Sequence, residues 1–192
     1  MKPGKLLILA CSPRKGGNSD TAASLVQEFA GRAGMKTELI YLRKHQIIPC
    51  QGCNKCAESP DFSCVLDSVD SCRMILDSID NSDMICICSP IYFYHLPAGF
   101  KGLIDRGQSF YFRSQHKVRP HRDKTALCVL AAGRKKGEHL FEGSLLTLKY
   151  FLDPFGYRVA EFCARGMDQG QGFAGNNQLC RSLENFLAGY LS

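Results

Sequence analysis

Apolar runs of strand length alternate with helix-period patterns along nearly the whole chain, and this alternation constrains the fold more than any other feature. KLLILAC (5–11) is a continuous apolar run, as expected of a parallel strand covered on both faces. KTELIYL (36–42), DMICICS (83–89), TALCVLAA (125–132) and YRVAEFC (157–163) supply four more strands. After the first strand, Ala22, Leu25, Val26, Phe29, Ala30 and Ala33 recur at helical spacing, with Asn18 or Ser19 placed to cap the helix and Gly34 to end it. Val69, Cys72, Leu76 and Ile79 make a second face. Phe100, Leu103 and Ile104 make a third, behind Pro97 in a first turn. Leu140, Phe141, Leu145, Leu148 and Leu152 form a fourth helix stopped near Pro154, and Leu179, Cys180, Leu183, Phe186, Leu187 and Tyr190 form the last. Five strands alternating with five helices predict an α/β fold with a doubly wound parallel sheet. In such a sheet, ligands bind at the C-terminal ends of the strands near the switch in strand order. Periodicity alone does not choose between the two common strand orders.

At 192 residues the chain reads as one domain, 1–192, without repeats or linkers. No apolar run approaches the roughly 20 residues that span a bilayer, so no membrane partner is expected. LLILAC (6–11) mimics a lipoprotein cleavage site, but ten residues ahead of Cys11 are too few for such a leader, and a buried strand fits better. The formal charge of +6 suits an anionic small molecule and is too dispersed for nucleic acid. Eleven cysteines without a sign of secretion imply a reducing cytoplasm rather than a disulfide framework. Cys11, Cys72, Cys86, Cys88, Cys128, Cys163 and Cys180 are expected to be buried bystanders.

The loop after the first strand, CSPRKGGNSDT (11–21), lacks both common nucleotide fingerprints. It offers the hydroxyls of Ser12, Ser19 and Thr21, the amide of Asn18, the cation of Arg14 and a flexible Gly16-Gly17 pair at a helix start. Helix-start amides and the positive dipole end favour a phosphate there. The competing reading is a capped turn with Arg14 and Lys15 in solvent. In SPIYFYHLP (89–97) three aromatics in a row cannot all face a core, so at least one is exposed and available to a flat ligand. No nucleophile–base constellation appears. Of the five histidines only His95, inside this stretch, stands near a candidate site.

A strand followed by SPRKGGNS, together with SPIYFYHLPAGFKGLIDR (89–106), resembles the flavodoxin-like NAD(P)H-dependent FMN reductases. The resemblance covers about residues 5–106 and weakens beyond residue 110. Cys11 departs from the glycine often found just before this loop. The resemblance implies strand order 2-1-3-4-5 and an FMN cofactor whose phosphate is held by Ser12, Arg14, Asn18 and Ser19. It places Pro90, Ile91, Tyr92 and Phe93 along the ring, with Gly133 and the residues that follow it near its other side. NAD(P)H or a ferredoxin-like redox protein would supply electrons to an unnamed acceptor, and the flavin N5 would carry the chemistry without a protein acid or base. It also implies a homodimer or homotetramer. The basic segment 113–124 fits a solvated loop, a site for NADPH phosphates or a subunit interface.

The stretch PCQGCNKCAESPDFSC (49–64) spaces Cys50, Cys53, Cys56 and Cys64 as C-x2-C-x2-C-x7-C. Zinc usually takes two separated C-x2-C knuckles, which fits poorly. Consecutive x2 spacing lets one tight loop reach three corners of a 4Fe-4S cluster, with Cys64 as the fourth ligand. The same spacing resembles the iron–sulfur flavoprotein branch of the FMN reductases. Zinc, a redox disulfide and no metal at all stay open beside the cluster. So do a cluster-free FMN or quinone reductase, a flavodoxin-like electron carrier and a cysteine-based sensor.

Overall fold

The computed structural model describes residues 4–116, 124–167 and 172–191. The basic segment singled out in the sequence lies largely outside these residues. Five parallel strands, β1 (Lys5–Ala10), β2 (Lys36–Tyr41), β3 (Met84–Pro90), β4 (Lys124–Ala131) and β5 (Tyr157–Ala164), pair in the order β2-β1-β3-β4-β5. This is the flavodoxin-like order. The switch lies at β1, whose neighbours are β2 on one side and β3 on the other. Chain reversal there opens a crevice above Ala10 and Pro90, where the two recognisable loops emerge.

The central strands are apolar on both faces because helices cover both. α1 (Asn18–Arg32) and α7 (Asn177–Leu191) pack on one side, where Leu6, Ile8, Cys86, Leu127 and Leu187 are buried. α3 (Cys72–Asp80), α4 (Ala98–Arg106), α5 (Gln108–His116) and α6 (Glu142–Leu152) pack on the other, around Leu7, Leu9, Ile79, Ile85 and Phe100. One further helix, α2 (Lys55–Glu58), is a single turn within the cysteine stretch. Among the described residues, no helix is long and apolar enough to cross a membrane.

Several local expectations are corrected. Asn18 and Ser19 both lie inside α1; the cap is Gly17, with no side-chain hydrogen bond. Gly34, at φ 77°, does terminate that helix, with its successor Met35 donating to the Ala30 carbonyl at 3.0 Å. Val69 precedes α3 and is exposed, so that face begins at Cys72, with Ile75 as its missing member. The helix after β3 is two pieces, α4 and α5, broken at Gly107. A Cβ at that position would come within 2.9 Å of both the Ile104 carbonyl and the Phe151 ring, so close packing against α6 requires glycine there. Cys163 is exposed and Cys180 half-buried, its thiol donating to the Phe173 carbonyl at 3.0 Å. The other five bystander cysteines are buried.

Candidate functional site

The first loop turns from β1 into α1 across the switch point. Ser12, Arg14, Asn18, Ser19, Pro90, Ile91, Tyr92 and Gly133 line one cleft of about 100 Å³, joined by Ala131 and Met167. Eight of the ten residues expected to bind the cofactor are thereby brought together. Ser19 is buried in the first turn of α1, and its Oγ has no hydrogen-bond partner. A buried hydroxyl without a partner costs free energy on the order of 1–3 kcal/mol. Its position at a helix start, where the first amides also lack intrahelical partners, fits an anionic ligand. The observation favours a phosphate cradle over a self-capped turn, and the donors suit the phosphate end of FMN.

The rest of the loop is held from outside. Asp20 Oδ2 accepts the Gly16 N–H at 2.8 Å and its Oδ1 accepts Arg43 Nη1 at 2.8 Å, which braces the Gly16-Gly17 turn from the end of β2. Ser12 Oγ accepts the Arg14 N–H at 3.1 Å and keeps its own proton to donate. Asn18 reaches away from the loop: its Nδ2 donates to the Met167 carbonyl at 2.9 Å, and its Oδ1 accepts the Phe173 N–H at 3.3 Å. Asn18 therefore ties the cradle to the chain beyond β5. Thr21 turns its hydroxyl back to the Gly17 carbonyl at 3.4 Å and does not line the cleft. Cys11, at the loop entrance, is buried, and burial raises its thiol pKa well above the usual range, with Cys88 and Cys128 adding to the effect. It is a packing residue.

Across the cleft, Ile91 N–H donates to the Ala131 carbonyl at 2.9 Å and extends the sheet by one bond. Tyr92 and His95 then exchange two backbone hydrogen bonds, of 2.8 and 2.9 Å, around a two-residue turn of Phe93 and Tyr94. Both turn residues have positive φ, 49° and 63°, a conformation normally left to Asn or Gly. Strain of this kind collects at functional sites. It leaves the Phe93 side chain fully exposed, while Tyr94 Oη accepts Arg134 Nη1 at 2.8 Å. Phe93 is therefore outside the cleft but at its rim. His95 shares a 3.2 Å hydrogen bond with Thr147 Oγ1 on α6 and anchors the turn. The residues that sequence reasoning missed are Asp20, Arg43, Ala131 and Met167. An acidic residue in a first helical turn was the only local signal for any of them.

The cysteine stretch leaves the same rim after β2. All eleven thiols are free; Cys50 and Cys53 are exposed, and Cys56 and Cys64 half-buried. Gly52 and Asn54 take positive φ, 67° and 56°, and wind the chain around the single turn of α2. Burial raises the Cys56 thiol pKa, and the neighbouring Cys64 raises it further. Among the described residues, no three side chains of His, Cys, Asp or Glu are drawn together at metal-binding geometry. The donor set is nevertheless the one a thiolate-ligated cluster uses: four free thiols within one short segment. The chemistry of the segment fits such a group; its side chains are not gathered on one.

A curated iron–sulfur flavoprotein of Methanocaldococcus jannaschii is 33% identical to this chain over 104 residues, 54% of this chain and 52% of that protein. One from Archaeoglobus fulgidus is 31% identical over 104 residues, 54% of this chain and 49% of the relative. The chain thus spans about half the length of the curated relatives it matches. Among solved structures, an NAD(P)H:quinone oxidoreductase from Methanothermobacter marburgensis superposes with a TM-score of 0.70 at 14% identity, over 98% of both chains. An FMN-dependent NADH-azoreductase from Bacillus anthracis, solved with FMN, gives 0.68 at 13% identity over 98% of this chain and 100% of the other. At such identities these structures establish the shared fold. The NADPH-dependent FMN reductase profile matches residues 4–178, most of the chain, and the chain belongs to that family.

Proposed function

We propose that this protein is an FMN-dependent oxidoreductase that takes electrons from NAD(P)H or a ferredoxin-like donor and delivers them to a small-molecule or protein acceptor. The observation that carries the reading is the buried, partnerless Ser19 Oγ at the start of α1, facing the 90–92 stretch and Gly133 across one cleft. Ser19, Ser12 and Arg14 would hold the phosphate by hydrogen bonds and charge. Pro90, Ile91 and Tyr92 would supply backbone groups and a flat wall for the ring, with Phe93 at its exposed edge. When bound, FMN supplies the redox chemistry by accepting a hydride at N5 and returning electrons one at a time. The chain's own contribution is to bind, orient and limit water access.

The proposal extends to a 4Fe-4S cluster held by Cys50, Cys53, Cys56 and Cys64, supported by their spacing and by the names of the partial relatives. Such a cluster would supply one-electron transfer. A cluster-free reductase is the second reading, and the observation on its side is that no three of the four thiols are drawn together at metal-binding geometry. A cytoplasmic setting, supported by the free thiols, and a homodimer or homotetramer complete the proposal.

Anaerobic purification followed by a visible spectrum with iron and sulfide assays tests both parts. Flavin bands bleached by NADPH support the oxidoreductase, and about four irons per chain support the cluster. A colourless protein that binds no added FMN would defeat the first part; flavin without iron after reconstitution would defeat the second.

A further inference from the structure

Arg106, the last residue of α4, is 2% exposed. Its Nη1 donates to Asp70 Oδ2 at 2.8 Å and to the Ile48 carbonyl at 3.0 Å, and its Nη2 donates to Asp67 Oδ1 at 3.3 Å. The two carboxylates reach on to opposite ends of the cysteine stretch. Asp70 Oδ2 accepts the Ile48 N–H at 2.8 Å, just ahead of Cys50, and Asp67 Oδ2 accepts the Cys64 N–H at 2.9 Å. Asp67 Oδ2 also accepts Arg73 Nη1 at 3.3 Å, and Asp70 Oδ1 accepts the Cys72 N–H at 2.9 Å, where α3 begins. One buried cation therefore clasps both ends of the segment that carries the four thiols.

Stability alone explains this network poorly. A buried ion pair costs several kcal/mol per ion in desolvation, and apolar substitutes are often as stable or more so. The guanidinium spreads its three bonds over two nitrogens in a rigid fork, whereas a lysine ammonium carries its three donors on one nitrogen and has no fork. Between its clasped ends the segment is fastened mainly by local bonds, such as Gly52 N–H to Cys50 Sγ at 3.5 Å and the Ser59–Asp61–Ser63 cluster. At its other end α4 starts at Ala98, immediately after the aromatic turn of the cleft.

We infer that Arg106, acting through Asp67 and Asp70, is a positioning residue that sets the approach of Cys64 to Cys50, Cys53 and Cys56. α4 makes that position a fixed offset from the flavin cleft. The inference rests on the reading of 49–64 as a metal-binding segment.

The test measures amide exchange by NMR at Ile48 and Cys64, with the FMN content and the iron-to-flavin ratio after anaerobic reconstitution, in wild type, Arg106→Lys and Asp67→Ala. In Arg106→Lys both amides should exchange roughly tenfold faster while β1 and β3 stay protected and FMN content is unchanged, and the iron ratio should fall several-fold. Asp67→Ala should loosen Cys64 alone, with the same loss of iron. It carries the test if the Arg106 variant does not accumulate. Unchanged exchange at both amides, or an equal rise throughout the sheet, overturns the inference. Wild type that takes no iron, with loop amides still loosened in the variants, defeats the metal reading and leaves the clasp standing. Equal iron in wild type and variants defeats the clasp and leaves the metal reading standing.

Discussion

The phosphate-type loop at 11–21 and the cysteine segment at 49–64 leave adjacent strands on one rim of the sheet, yet they are built in opposite ways. The first is braced from three sides, by Arg43 through Asp20, by Met167 and Phe173 through Asn18, and by the first turn of α1. It holds a polar atom, Ser19 Oγ, buried and waiting for a partner. The second is clasped where it meets the fold, rests Phe62 on His116 of α5, and keeps its thiols half-buried or exposed. The difference teaches that an anion site can be finished by folding alone. A multi-thiolate metal site, as proposed for the second, would bring like-charged ligands together, so its assembly would wait for the metal.

The largest effect expected on that contrast comes from Cys53→Ser combined with Cys56→Ser. Iron binding should be lost almost entirely while FMN affinity is unchanged, read by iron assay and flavin fluorescence. Parallel loss of FMN would show that the loops are not independent. Arg14→Ala with Ser19→Ala should weaken FMN binding by roughly 100-fold, the scale of one or two charge-assisted hydrogen bonds, and leave iron content alone. Flavin titration yielding an unchanged Kd would remove the phosphate assignment.

Asn18→Ala should weaken FMN by only about tenfold, because it loosens the cradle without removing a phosphate donor. A loss as large as that of the double variant would promote Asn18 to a direct ligand. The smallest effect concerns acid. Burial disfavours the Asp70 charge, but the Ile48 and Cys72 amides and Arg106 outweigh it, so its carboxyl lies below the usual carboxylate range. A group depressed in the folded state contributes its full stabilisation above its unfolded pKa, about 4, and loses it as pH falls through the folded value. Urea midpoints should therefore drop below about pH 4 by a larger margin in wild type than in Asp70→Asn.

Much of the scaffold was legible in the chain. Runs such as KLLILAC and DMICICS are apolar at every position because both faces of a parallel sheet are covered, and that signal survives without any tertiary knowledge. The first loop was legible as a polar strand-to-helix turn for a similar reason: its hydroxyls and glycines fall between β1 and α1. The Gly107 break was hidden, because the demand for glycine comes from Phe151, far along the chain. The tie from the Asn18 amide to the distant Met167 carbonyl was hidden, since an amide can serve a ligand or a far carbonyl and nothing local in the chain chooses between them.

Sequence by itself determined the alternating sheet, the hydroxyls and cation of the first loop and the thiol spacing, because each depends on residues close together in the chain. Tertiary structure alone decided which of those donors share a cleft, where Phe93 points and that Arg106 holds both ends of the cysteine segment. The shared cleft and the Arg106 clasp are contacts across long separations, fixed by burial, which drives most polar groups away from water to find a partner.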